Sequence, residues 1–368
     1  MFAFLRYNVL EVLTMCDFSE YGPPSAEWLA VEASLPPPPE FADIYERQTV
    51  VNKGREEISA NGMKELGPLV RMKDYKIPTR DNSSLEARSY RPVDAADDAR
   101  LPIYMHLHGG GYLFGTLSSE DAISSRIAIG AKVTVVNVNY RHTPDHTYPT
   151  AWNDVEDAFY WIHDHIEELR GNPEQVVIGG ISAGAQLAAA LALRQNISSP
   201  DIRPYPKIAG QILMIPALVH PNHYQSQLDQ LKDPLVSSYV QNEDAPILPK
   251  KVIDFFTGLL KFPNAYPDAE DFRANTGNAS ASQVKGLPPT VFGIAGRDPL
   301  RDEGILYGKK LAEAGVPTDI HVFKGLPHGF RRYGDQLSEC KRWDRIMEEG
   351  IRWAISNPEP REFEVKTS

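Results

Sequence analysis

From Leu101 onward the chain alternates short apolar runs with helical stretches, and this rhythm constrains its fold more than any other feature. Strand-like runs fall at Ile103 to Leu107, Val133 to Asn139, Val176 to Gly179, Gly210 to Ile215, Thr290 to Ile294 and Ile320 to Phe323. Between and after them, Glu120 to Ile129, Trp152 to Leu169, Ala183 to Arg194, Arg301 to Ala314 and Ser338 to Ile355 carry helical spacing. Such alternation predicts a mostly parallel sheet covered by helices on both faces. Upstream, Met72 to Ile77 and Leu85 to Tyr90 flank the turn-rich Asp81-Asn82-Ser83-Ser84 and read as a hairpin at the sheet edge. The expectation is an α/β fold with eight strands.

Two segments stand outside the rhythm. Residues 1–68 hold helical patches broken by Tyr21-Gly22-Pro23-Pro24 and by the extended Pro36 to Pro39 run, and read as an N-terminal arm or cap. Within it, Met1 to Cys16 reads as an amphipathic helix. The second segment, 219–281, mixes Pro, Asn, Asp and aromatic residues and reads as a cap insertion over the carboxyl edge of the sheet, within a single domain spanning 69–368.

The chemistry concentrates at loops that follow strand-like runs. Gly180-Ile181-Ser182-Ala183-Gly184 is a G-x-S-x-G sequence between an apolar run and an alanine-rich helix. A strand-to-helix turn this sharp holds its serine at strained dihedrals, and small neighbours leave room for the hydroxyl. His108-Gly109-Gly110-Gly111 ends the run at Leu107, Asp298 follows the run at Thr290, and His328 follows the run at Ile320. Acyl transfer needs a nucleophile, a base, a group that orients the base, and donors for the developing oxyanion. Ser182, His328, Asp298 and the glycine loop supply a candidate for each, in the chain order Ser, Asp, His of α/β hydrolases. Asp302 and Glu303 compete for the acid role, but Asp298 falls at the strand end and they lie in the helical pattern. His106 and His108 form an H-x-H pair with no third ligand set, so no metal site is read, and no G-x-G-x-x-G supports a dinucleotide cofactor. His163, His165, His220 and His223 are read as solvated.

Composition narrows the partners. With 49 acidic against 38 basic residues the net charge is −11, which repels nucleic acid and anionic membrane surfaces. No stretch approaches the roughly 18 apolar residues that span a bilayer. Cys16 and Cys340 are the only cysteines, which excludes a disulfide framework and favours a reducing, cytoplasmic compartment. The three glycosylation sequons at Asn82, Asn196 and Asn278 read as coincidental in that setting.

Taken together, these motifs resemble the hormone-sensitive-lipase family of α/β hydrolases over about residues 100–335. The resemblance rests on His108-Gly109-Gly110-Gly111-Tyr112, Asn139-Tyr140-Arg141, Tyr148 to Asp154, Gly180 to Gly184, Asp298 to Gly304 and His328-Gly329-Phe330. It implies an α/β-hydrolase fold with a helical cap. It also implies oxyanion amides from Gly110, Gly111 and Ala183, with His108, Gly109, Gly180 and Gly184 as supporting motif positions. The chain departs from the family at His142-Thr143-Pro144-Asp145, where members read Leu-Ala-Pro-Glu, and its first 65 or so residues match only a generic helical cap. The complete Ser, Asp, His set separates it from hormone receptors of the same fold that lack the histidine.

The expected activity is that of a serine carboxylesterase acting on short-to-medium acyl esters through an acyl-enzyme, with a small-molecule ester as partner and no cofactor. A specialised-metabolite hydrolase, acyltransferase or cyclase on the same residues stays open, as does a non-catalytic receptor. Oligomeric state, a homodimer included, is equally open.

Overall fold

A computed structural model describes residues 15–37, 39–197 and 208–367. The helix read over Met1 to Cys16 therefore lies outside the described residues, except that Met15 and Cys16 are not helical. In chain order the elements are α1 (Ala26–Glu32), α2 (Ile44–Leu66), β1 (Val70–Pro78), β2 (Ser84–Pro92), β3 (Leu101–Leu107), α3 (Asp121–Ala131), β4 (Thr134–Asn139) and α4 (Thr150–Asp164). There follow β5 (Gly171–Ile181), α5 (Ala183–Asn196), β6 (Gly210–Met214), α6 (Gln225–Leu228), α7 (Ser238–Gln241), α8 (Lys250–Leu259) and α9 (Ala281–Val284). The chain ends with β7 (Thr290–Arg297), α10 (Arg301–Glu313), β8 (Thr318–Pro327), α11 (Glu339–Ala354) and β9 (Val365–Lys366).

All the strands form one sheet in the order β1-β2-β4-β3-β5-β6-β7-β8-β9. The hairpin β1–β2 and its contact with β4 are antiparallel, and every other pairing is parallel. The described residues thus give nine strands where eight were expected. The ninth is a two-residue pairing of Val365 and Lys366 with Ile320 and His321, too short to leave any alternation in the sequence.

Strands buried on both faces are mostly apolar, and the central ones are, with His106, Asn137 and Gln211 as buried polar exceptions. Ile103, Met105, Leu107, Val176 and Ile178 face one layer with Phe159 of α4, Leu187 of α5 and Leu306 of α10. Tyr104, Val177 and Val135 face the other, with Ile127 of α3 and Trp343, Met347 and Ile351 of α11. Helix α1 adds Trp28 and Val31 to that second layer.

Because β3 to β8 run parallel, their carboxyl ends share one edge, and the register sets which loops meet there. Leu107 pairs with Gly180, so the loop after β3 lies beside the turn after β5. Arg297 pairs with Pro327, so the next residues, Asp298 and His328, leave neighbouring strands side by side. Among the described residues, the chain between β6 and β7 forms the helices α6 to α9, three single 3₁₀ turns and loops, with no strand. The N-terminal arm joins this stretch directly: Cys16 N donates to Gln230 O at 2.9 Å and Lys232 N to Cys16 O at 2.8 Å.

Candidate active site

The turn from β5 into α5 places Ser182 at φ 56° and ψ −117°, a conformation that costs a non-glycine residue on the order of 1–3 kcal/mol. Ser182 N donates to Met214 O at 2.8 Å, which anchors the turn to the end of β6. Its hydroxyl caps no helix amide. The flanking glycines are demanded by close approach, since a Cβ on Gly184 would lie 2.1 Å from Leu107 O and one on Gly180 would lie 2.4 Å from the same atom.

The three residues selected from the sequence form one hydrogen-bonded row. Ser182 Oγ lies 2.9 Å from His328 Nε2, and His328 Nδ1 lies 2.7 Å from Asp298 Oδ2. Asp298 is buried, and its Oδ1 accepts the Leu300 amide at 3.0 Å. An acceptor at Nδ1 fixes the tautomer with its proton there, leaving Nε2 free to accept from Ser182.

The competing carboxylates are engaged elsewhere. Asp302 accepts the Ser238 amide at 2.6 Å and Arg301 Nε at 2.7 Å. Glu303 accepts the amides of Leu218 and Val219, and burial pushes its carboxyl well above the usual range. Both acids tie the segment after β6 to α10. That segment also reaches the row, because Asn242 Nδ2 donates to Asp298 O at 3.1 Å.

Beside Ser182, the glycine loop is held by its carbonyls. His108 O accepts Tyr140 OH at 2.7 Å, Gly109 O accepts Arg55 Nη1 at 3.0 Å, and Gly110 O accepts the amides of Leu113 and Phe114 at 3.1 and 3.0 Å. Gly110 sits at φ 141° and Gly111 at φ 61°, which a side chain rarely adopts. Among the described residues, none of the amides of Gly110, Gly111 and Ala183 donates a hydrogen bond within the protein. Three unclaimed donors therefore lie at the serine turn and in the glycine loop beside it.

Behind the loop, His108 is fully buried and stacked on Tyr140 at 4.4 Å, and burial pushes its pKa down to about 4. His106 Nε2 lies 3.2 Å from Glu120 Oε2. The H-x-H pair is thus built into the support of the loop. Burial would raise the Glu120 carboxyl, but the His106 hydrogen bond and the Arg55 charge outweigh it and hold it well below the ordinary range.

Sequence reasoning missed several contributors. Phe256 on α8 lies against Gly111, where a Cβ would sit 2.5 Å from its ring. Phe114 meets Phe256 edge-on at 6.0 Å, and Arg47 of α2 lies over Phe114 and Phe255 at 5.8 and 5.0 Å. The helical spacing of α8 was a usable signal for Phe256; nothing in the sequence marks Arg55. Two histidines expected in solvent are buried, His163 beside Phe159 at 4.7 Å and His220 beside Phe262 at 5.4 Å. His163 completes the apolar spacing Val155, Phe159, His163 on one face of α4.

Comparison with known proteins agrees with this architecture. A family model described as alpha/beta hydrolase fold matches residues 104–332. Esterase LipI of Mycobacterium tuberculosis is 34% identical over 67% of this chain and 71% of its own length. The structure of vibralactone cyclase superposes with a TM-score of 0.79 at 27% identity, covering 92% of this chain and 96% of that one. EstE1, a thermostable carboxylesterase from a metagenomic library, gives 0.70 at 28% identity, covering 85% and 98%. With the nine-stranded sheet, the G-x-S-x-G turn and this match across most of its length, the chain belongs to the hormone-sensitive-lipase-like family of α/β hydrolases.

Proposed function

We propose that this protein is a serine carboxylesterase in which Ser182 is the nucleophile, His328 the proton carrier and Asp298 the group that orients it. The observation that carries the reading is the unbroken row from Ser182 Oγ through His328 to Asp298, at 2.9 and 2.7 Å, beside unclaimed amides. Ser182 Oγ attacks the ester carbonyl as its proton passes to His328 Nε2. The carbonyl oxygen takes the negative charge and turns toward the amides of Gly110, Gly111 and Ala183. Collapse breaks the bond to the alcohol oxygen, which receives the proton from His328, and leaves the acyl group on Ser182. Water repeats the sequence and releases the acid. Asp298 stabilises the imidazolium formed in each half without taking the proton.

The aromatic wall of Phe114 and Phe256 at the glycine loop favours uncharged acyl groups of short to medium length. The names of similar proteins, an esterase and a carboxylesterase, support the same reaction class. Ser182→Ala tests it: turnover of p-nitrophenyl butyrate should fall about a million-fold with the fold intact. Wild-type turnover by that variant would contradict the assignment.

A second reading is favoured by the superposition on vibralactone cyclase. There the acyl-enzyme on Ser182 is captured by a nucleophile within the substrate instead of by water. Product analysis with hydroxy-ester substrates separates the two, through the ratio of lactone to free acid.

A further inference from the structure

We propose that Arg55, on the N-terminal helix α2, is a positioning residue that aims the oxyanion donor of Gly110. The inference rests on the reading of Gly110 as such a donor, and its argument is one of peptide geometry. The Gly109 carbonyl and the Gly110 N–H belong to a single planar trans peptide unit, so fixing the direction of the oxygen fixes the opposite direction of the N–H. Gly109 sits in a glycine run whose own backbone barely restrains that plane. From outside the loop it is held by Arg55, whose Nη1 donates to Gly109 O at 3.0 Å, while the adjacent His108 Nδ1 lies 3.3 Å from the same oxygen.

Arg55 is itself held. Its Nη2 donates to Glu120 Oε1 at 2.7 Å, and the same carboxylate receives Ser119 Oγ at 3.1 Å and meets His106 Nε2 at 3.2 Å. Glu120 is buried and ionised, so the guanidinium is locked between a fixed charge and the loop carbonyl. A planar fork with two donors suits this bridge, whereas an ammonium presents one point charge.

The rest of α2 supports the same role. Gln48 Nε2 donates to Leu113 O at 2.7 Å, Asn52 Oδ1 accepts Gly115 N at 2.9 Å, Glu56 Oε1 accepts Thr116 Oγ1 at 2.6 Å, and Ser59 Oγ accepts Ala122 N at 3.1 Å. Positions 48, 52, 55, 56 and 59 recur at helical spacing and face the residues that follow the glycine run. Of the 23 residues in α2 only Ser59 is buried, so the helix docks through polar side chains on backbone groups and contributes little to the core. Of the three held carbonyls of the loop, that of Gly109 is the one held from this arm; the neighbouring two are held from Tyr140 and from the loop itself.

The test compares Arg55→Met and Arg55→Lys with the wild-type protein and with Ser182→Ala. Losing an oxyanion donor outright lowers kcat by about 10²–10³, and a misaimed donor loses part of that. Arg55→Met is expected to lower kcat on p-nitrophenyl butyrate about tenfold to a hundredfold with KM changed less than about twofold. Arg55→Lys should fall between it and wild type. A trifluoromethyl ketone, which forms an oxyanion-bearing adduct, should lose affinity by the same factor as kcat/KM, and added methylguanidinium should restore part of the lost rate. A purely structural arginine would move stability but neither the adduct affinity nor the rescue. Wild-type kcat in Arg55→Met, with Ser182→Ala inactive, overturns the proposal and leaves the site reading standing. Activity in Ser182→Ala overturns the site reading itself. Should Arg55→Met not fold, wild-type kcat in Arg55→Lys overturns the proposal, and a severalfold loss at unchanged KM supports it.

Discussion

Replacing Asp298 with asparagine separates the orienting role from shape. The amide matches the carboxylate in size, so packing around this buried residue is preserved. Its orientation is set by the Leu300 amide, 3.0 Å from Oδ1, which requires an acceptor and so draws the amide oxygen to that side. The NH2 then occupies the Oδ2 position, 2.7 Å from His328 Nδ1. Two donors cannot face each other, so the imidazole shifts its proton to Nε2, which points at Ser182 Oγ only 2.9 Å away. The base then has no lone pair for the nucleophile's proton. The expected loss is about 10⁴ in kcat, the scale found when a triad aspartate becomes asparagine. That corresponds to about 5.4 kcal/mol of barrier. Steady-state hydrolysis of p-nitrophenyl butyrate reads it, with KM within about twofold and thermal unfolding near wild type. Asp302→Asn provides the contrast: its one amide oxygen can keep the Ser238 amide, but the NH2 then faces Arg301 and the buried ion pair is lost, so stability should fall by about 3–5 kcal/mol while the folded enzyme keeps most of its kcat. An Asp298→Asn variant within tenfold of wild type, or a ten-thousandfold kcat loss in stable Asp302→Asn, would refute the reasoning.

Other perturbations probe other links. Gly184→Ala should lower stability by at least about 1–3 kcal/mol, read as Tm, because its Cβ would meet the backbone oxygens of Leu107 and His108 at 2.1 and 2.6 Å and neither can swing aside. Phe256→Ala opens the wall against Gly111, so a series of p-nitrophenyl esters should show its optimum move to longer acyl chains; an unchanged optimum places that wall outside the acyl path. His108 is held neutral with a pKa near 4 in the fold, against about 6.5 when unfolded. Below pH 6.5 the unfolded chain binds a proton that the folded one refuses, so stability is present above 6.5 and declines as pH falls toward 4, by up to about 3 kcal/mol. Tm measured from pH 7 to 4 should fall through that window, and a flat profile contradicts the burial of an uncharged His108.

Much of the sheet was legible because the central parallel strands are buried on both faces and leave mostly apolar runs, as at Val176 to Ile178. The site was legible for a related reason. Residues at strand ends converge once the register is parallel, so Asp298 could be preferred over Asp302 and Glu303 by position alone. What escaped depends on polar or very short contacts. Helix α2 docks through side chain to backbone bonds, which impose no hydrophobic period, so Arg55 looked like any exposed cation. The two-residue β9 carries no alternation, and His163 was judged by its residue type when its spacing from Val155 and Phe159 placed it on the buried face.

The central claim is that Ser182 is the nucleophile, and covalent labelling tests it most directly. A fluorophosphonate should abolish esterase activity at one equivalent, and peptide mass mapping should place the adduct on Ser182, with no labelling of Ser182→Ala. An active protein that takes up no adduct, or carries it on another residue, would contradict the account.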